Sequence, residues 1–230
     1  MCFTPAISLT TAIIEWILAI ILFTTFRKSK LAPLFSLLLV LLGGYQFSEY
    51  MLCTTNSLFW VTFGFICYSF LPAVGLHSIL NYFHQKKYLW LLYAVPVLFS
   101  LFAVMRADFA IYGQCLDMFV QVTTLLTESP VLWTPYALYY GGFIIVAFIF
   151  LWKAHRKART NLERKIYDVE MLGILLMTIP TFTLIMIFPP LGILFPSILC
   201  HFALLLAILF FWGAYLDEEK SLHKKFHQNR

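Results

Sequence analysis

The chain has 230 residues, of which 61% are hydrophobic and only 12% charged, with a mean hydropathy of +0.84 and a formal net charge of +5. A soluble domain is usually about 25% charged, so an aqueous fold is excluded. A spanning helix takes roughly 20 apolar residues at about 1.5 Å rise each, which leaves room for seven such helices with short connections and for no separate soluble domain.

In chain order, apolar segments lie at about 6–26, 31–53, 58–83, 88–105, 134–152, 169–188 and 191–216. The first is a retained anchor rather than a cleaved signal, because no basic residues precede it and its basic cluster, RKSK, follows it. Prolines within the segments (Pro33, Pro72, Pro96, Pro180, Pro196) predict kinks, which a bundle tolerates because neighbouring helices satisfy the freed backbone groups. The stretch 110–127 is apolar enough to tempt an eighth span, and charge decides against it. With seven helices, every Lys and Arg except Arg106 falls on one side, the cytoplasmic side by the positive-inside rule. An eighth span would export the basic cluster of 153–165.

The fold class expected is therefore all-α integral membrane: seven transmembrane helices over 1–216, N-terminus outside and C-terminus inside, and a basic cytoplasmic tail at 217–230. Localisation is a multi-pass inner membrane. The outer loop at about 106–133 carries an alternating run, Phe119 to Leu125, that leans to a β-hairpin over the bundle mouth; a short interfacial helix is the alternative. The cytoplasmic stretch KAHRKARTNLERKIYDVE has few breakers and is expected to continue the fifth helix into water. Its charges set orientation and can hold anionic lipid headgroups at about 1 kcal/mol each, and 153–168 is the surface for a cytoplasmic protein partner. Aromatic residues are not interleaved with these charges, so no nucleic-acid partner is expected.

Of the five cysteines, Cys2, Cys53 and Cys115 fall at the outer surface, and Cys67 and Cys200 lie within helices. In an oxidising outer compartment two of the outer three can pair, and Cys53 with Cys115 would staple the loop to the second helix. No CxxC pair and no Cys/His metal spacing occurs, and no cofactor is implied.

Ionisable residues at membrane depth are functional candidates by default. Counting helix rise from the outer end puts Glu49 about 6 Å deep, Glu15 about 14 Å, His201 about 15 Å and His77 about 28 Å. One metal cannot gather groups so spread, since its ligands meet within about 2 Å of the ion. Glu15 and His201 share a level and are expected to pair across the bundle. In the second helix Gly43, Gln46, Glu49 and Cys53 share a face. Gly43 and Gly44 permit close helix approach, so Gln46 and Glu49 are expected at the floor of an outer vestibule. Tyrosines 45, 50, 68, 112, 136, 139 and 140 are available to line it, with the 106–133 loop as its lid.

The opening MCFTPAISLTTA, YQFSEYMLC and SILCHFALLLA resemble an uncharacterised family of small bacterial membrane proteins. Its members begin Met-Cys-Phe-Ser, carry Gln-x-x-Glu in the second helix, tryptophan-proline in the third and Trp-Cys-Phe-Phe in the last. What the resemblance implies extends to Cys2, Gln46, Glu49 and Cys200. Leu71-Pro72 and His201 depart from the pattern, and no activity is implied. SLFWVTFGFICYSFLPAVGLHSILNYF and ESPVLWTPYALYYGGFIIV are similar, in layout, to the seven-helix sensory module of bacterial histidine kinases, but no output domain follows.

Two functions remain open on these residues. One is a module that binds or senses a small or lipidic ligand through Gln46 and Glu49, with Cys2 and Cys200. The other is a membrane-embedded enzyme acting on a lipid, with Glu49 as acid or base. Catalysis usually recruits two or three titratable groups within hydrogen-bond reach, whereas a binder needs one polar handle, and the sequence favours the binder. Transport fits poorly, because no repeat symmetry is visible.

Overall fold

The computed structural model describes residues 5–83, 89–115, 120–187 and 200–228, with side chains for all of these except 181–187, 200, 201 and 223–228. In order the elements are α1 (Pro5–Thr25), α2 (Ala32–Thr55), α3 (Phe59–Tyr82), α4 (Leu89–Met105), β1 (Ala110–Cys115), β2 (Val120–Thr124), α5 (Leu125–Glu128), α6 (Pro130–Lys157), α7 (Asn161–Ile187) and α8 (Cys200–Gln228). The chain is thus mainly helical, with one two-stranded antiparallel sheet among the described residues. Helices α1, α2, α3 and α6 are each long and apolar enough to cross a membrane, and α4, at 17 residues, is apolar but shorter. Apolar side chains on the outer faces of α1 and α6, such as Ile17, Ile20, Leu138 and Ile145, are exposed, as expected of surfaces that lipid covers.

Local chemistry explains the boundaries. Pro33 does not kink a helix but opens α2, where its missing N–H has no acceptor to lose. That helix stops at Asn56, whose φ of 52° is left-handed and whose N–H returns to the Leu52 carbonyl at 2.9 Å. Pro72, Pro96 and Pro180 lie inside α3, α4 and α7, which continue on either side of them; Pro196 lies outside the described residues.

The stretch KAHRKARTNLERKIYDVE is not one continuous helix. It breaks after Lys157, and α7 begins with its own cap: Thr160 Oγ1 accepts from the Glu163 N–H at 3.1 Å, and Glu163 Oε2 accepts from the Arg159 N–H at 3.0 Å. The tetrapeptide Thr-Asn-Leu-Glu is the Ser/Thr-x-x-Glu spacing that satisfies the orphan donors of a helix start.

Consecutive helices pack side by side as α1, α2 and α3; α3 touches both α4 and α6; α6, α7 and α8 follow, and α8 closes the ring on α1 and α2. The α2 glycines set the tightest contacts. A Cβ on Gly43 would lie 2.5 Å from Trp16 Nε1, and one on Gly44 would lie 2.9 Å from Cys67 Sγ, so α2 is clasped between α1 and α3 only because both positions lack a side chain.

Polar clamps close the opposite end of the bundle from the hairpin. The buried Asp217 carboxylate accepts from Ser29 Oγ at 2.8 Å and from the Lys30 N–H at 2.6 Å, tying α8 to the α1–α2 turn. Lys220 pairs with Glu163 at 2.8 Å and donates to the Tyr82 hydroxyl at 2.8 Å, joining α3, α7 and α8. Helix α8 therefore runs through residue 216 and into the segment assigned to the tail.

Candidate functional site

The site is built from the hairpin downwards. β1 pairs with β2 antiparallel, from Cys115 opposite Val120 to Ala110 opposite Thr124, with an irregularity between Ala110 and Tyr112. A strand presents alternate residues to one face, and here Val120, Val122 and Thr124 all face the bundle interior as part of a cavity wall. The following turn is fixed by Thr124 and Thr127, each side chain accepting from the other's backbone N–H. Two anchors hold the hairpin down. Cys53 of α2 is disulfide-bonded to Cys115 of β1 across a Cα–Cα distance of 5.5 Å, and Leu52, Val61 and Val120 form a small buried cluster beside it.

Beneath this cap is a cavity of about 100 Å³ bounded by α2, α3, α6 and β2. Tyr45, Trp60, Tyr68, Trp133 and Tyr136 supply aromatic walls, and among the described residues Glu49 supplies the one carboxyl group in the lining. The rings form a continuous surface, with centroids 6.1 Å apart for Tyr45 and Tyr68, 6.5 Å for Tyr68 and Tyr136, and 6.1 Å for Trp133 and Tyr136. The Tyr136 hydroxyl shares a hydrogen bond of 3.0 Å with Ser69 Oγ, and the Tyr68 ring stacks on Tyr140 with centroids 4.5 Å apart. Tyr139 donates to the Ser69 carbonyl at 2.6 Å. Buried phenols are rarely left without a partner, and these bonds fix which ring faces look into the cavity.

Glu49 and Gln46 are buried on the face of α2 where the shared spacing puts them. Glu15 of α1 is buried too, and its carboxyl feels the charge of Glu49. Helix rise alone sets these two about 8 Å apart in depth, and side-chain direction reduces the gap between their carboxyl groups. In a helix each Cα–Cβ bond leans toward the N-terminus; α1 and α2 run antiparallel, so Glu15 and Glu49 lean toward one another.

Cys2 lies outside the described residues, as do the side chains of Cys200 and His201, so the Glu15–His201 pair and any part played by those cysteines lie outside the described site. His77 is elsewhere, its Nδ1 2.7 Å from the Tyr93 hydroxyl. Among the described residues no cluster of three or more His, Cys, Asp or Glu has the arrangement of a metal site.

Of the tyrosines considered from the sequence, Tyr45, Tyr68 and Tyr136 line the cavity, while Tyr112 is exposed on the hairpin and hydrogen-bonds to Gln114. The sequence reasoning missed Trp60 and Trp133. Each lies in the first turn of the helix that enters the bundle beside the hairpin, and that position was the available signal. A second cavity, of about 150 Å³, lies between α2, α3, α6, α7 and α8, is lined mostly by aliphatic and aromatic side chains, and has Glu170 as its carboxyl group.

Comparison of the chain with family models, with curated proteins and with solved structures gives no match, and the site is read from its own geometry.

Proposed function

We propose that this chain is a multi-pass inner-membrane protein of seven spanning helices, N-terminus outside and C-terminus inside, that binds or senses a small or lipidic ligand in an outward-facing pocket. The observation that carries the reading is the cavity beneath the disulfide-held hairpin, mostly apolar with Glu49 as its charged group. Ligand sites are typically concave, largely apolar and furnished with one or two polar handles. The spans are α1–α4 and α6–α8, an arrangement supported by the positive-inside distribution and by the Cys53–Cys115 bond at the opposite end from the basic clusters. The segment 153–168, with its basic residues between α6 and α7, is the surface for a cytoplasmic partner or for anionic lipid.

The enzymatic alternative, Glu49 acting on a lipid, draws less support. Cys53 and Cys115 are joined to each other and so do not serve as nucleophiles. Among the described residues the lining adds only tyrosine phenols to Glu49 as titratable groups, with the Glu15 carboxyl on the neighbouring helix.

The test is native mass spectrometry of the protein released from nanodiscs made with a total bacterial lipid extract. The wild type is expected to retain a defined adduct that a Val122→Trp variant, which fills the cavity from β2, does not retain while keeping its melting temperature. An adduct-free wild type, or a Val122→Trp variant that retains the same adduct, refutes the pocket.

A further inference from the structure

The chemistry of the pocket selects among ligands, and we infer that it takes a small organic cation, an alkylated or primary ammonium group, seated between Glu49 and the aromatic walls. The inference rests on the proposed binding function and deepens it.

Among the described residues the lining contributes one carboxyl group and no Lys, Arg or His. The helix that carries Glu49 and its neighbour α1 hold further buried acceptors. Both carboxyl oxygens of Glu15 and the Gln46 Oε1 are buried and have no hydrogen-bond partner in the structure. A buried acceptor left without a donor is costly, and a buried carboxylate more so, unless a cation or a proton compensates it. A ligand bearing an anion or further acceptors would add to this imbalance; one bearing positive charge relieves it.

The walls favour the same class. The faces of Tyr, Trp and Phe carry negative quadrupole density and attract ammonium groups within about 6 Å of the ring centroid, the more so when water is excluded. Here Tyr45, Tyr68 and Tyr136 form a run of neighbouring rings, and the Tyr136 hydroxyl is engaged by Ser69, so the walls present ring faces to the cavity. Trp60 and Trp133 add two more faces. At about 100 Å³ the space suits an ammonium headgroup with its methyl or methylene shell rather than a large heterocycle. A free amine and the headgroup of a zwitterionic lipid share this chemistry.

The experiment compares choline with 3,3-dimethylbutan-1-ol, which has the same shape without the charge, by tryptophan fluorescence and melting temperature of the detergent-purified protein. Choline is expected to give a saturable response with an affinity at least about tenfold higher than the alcohol's. Glu49→Gln is expected to lose about tenfold for choline and nothing for the alcohol, while Glu49→Asp stays within about threefold of wild type. Should Glu49→Gln fail to fold, Trp133→Leu, at a half-buried position, carries the test: choline binding falls about fivefold more than alcohol binding. The lipid source is separated by titrating the protein in phosphatidylglycerol nanodiscs with and without phosphatidylethanolamine; a response to that lipid alone supports a headgroup ligand.

Equal binding of choline and the alcohol overturns the cation assignment and leaves the pocket standing. No response to choline or to phosphatidylethanolamine also overturns it, whatever adduct native mass spectrometry finds.

Discussion

Reducing the Cys53–Cys115 disulfide is expected to release the hairpin from α2 without dismantling the bundle. The two cysteines are 62 residues apart, and for a fully unfolded chain a cross-link closing that loop stabilises by about 4 kcal/mol. In the proposed topology α3 and α4, of 24 and 17 residues, are spanning helices and are expected to stay helical in the denatured state. The flexible remainder is then roughly 20 residues, and the same relation gives about 3 kcal/mol. That energy is concentrated at the hairpin, because the packing left to hold it there is the small cluster around Leu52, Val61 and Val120. The assay is thermal melting in detergent together with amide hydrogen exchange, for the wild type with and without reductant and for a Cys53→Ser/Cys115→Ser double variant. Reductant should lower the wild-type melt to that of the double variant, leave the double variant unmoved, and accelerate exchange at 110–115 and 120–124 ahead of α2 and α3. If thiol titration shows both cysteines free while exchange in the hairpin stays at its oxidised rate, the reasoning is wrong.

Three further outcomes follow from named contacts. Gly43→Ala places a methyl group against Trp16 and should cost about 1–3 kcal/mol by overpacking, whereas Gly141→Ala, where a Cβ meets nothing within 4 Å, should be neutral or gain up to about 1 kcal/mol in helix propensity; equal melts for the two would exclude the α1–α2 clasp. Asp217→Ala strips the acceptor from Ser29 and Lys30 and should cost about 3 kcal/mol, with Asp217→Asn recovering part of it in chemical denaturation; an Ala variant as stable as wild type would show that the turn is held by other contacts. The Lys220 ammonium holds the Glu163 carboxyl below the ordinary carboxylate range. A depressed folded-state pKa contributes stability that is present above the unfolded value near 4.3 and lost as pH falls through the folded value. The gap between wild type and Glu163→Gln should therefore be present at neutral pH, at less than about 1 kcal/mol for so exposed a pair, and should close in acid. A gap that widens on acidification contradicts this sign.

Much of the fold is legible in one dimension because the bilayer's demand is one-dimensional. A run of apolar residues long enough to span must be a helix, since its backbone has no other partner for its polar groups. The alternation from Phe119 to Leu125 foretold β2 for a related reason: a strand over a cavity turns every second residue inward, and Val120, Val122 and Thr124 do so. Where local chemistry competes with apolarity, composition alone is a weaker guide. The Thr160–Glu163 cap ends the run of helix formers between α6 and α7, and Pro33 starts a helix that its position inside an apolar segment suggested it would bend.

The sequence by itself determined that the chain is helical and apolar, that Gln46 and Glu49 share a face, and which cysteines were available to meet at the hairpin. The tertiary structure alone decided what surrounds Glu49: Trp60 from the next helix, Trp133 from a helix distant in sequence, β2 as a roof, and Glu15 within electrostatic range. The physical reason is direction. Rise along an axis places Cα atoms, but where side chains meet depends on which way neighbouring helices run and how each residue leans, and that is set only when the helices pack.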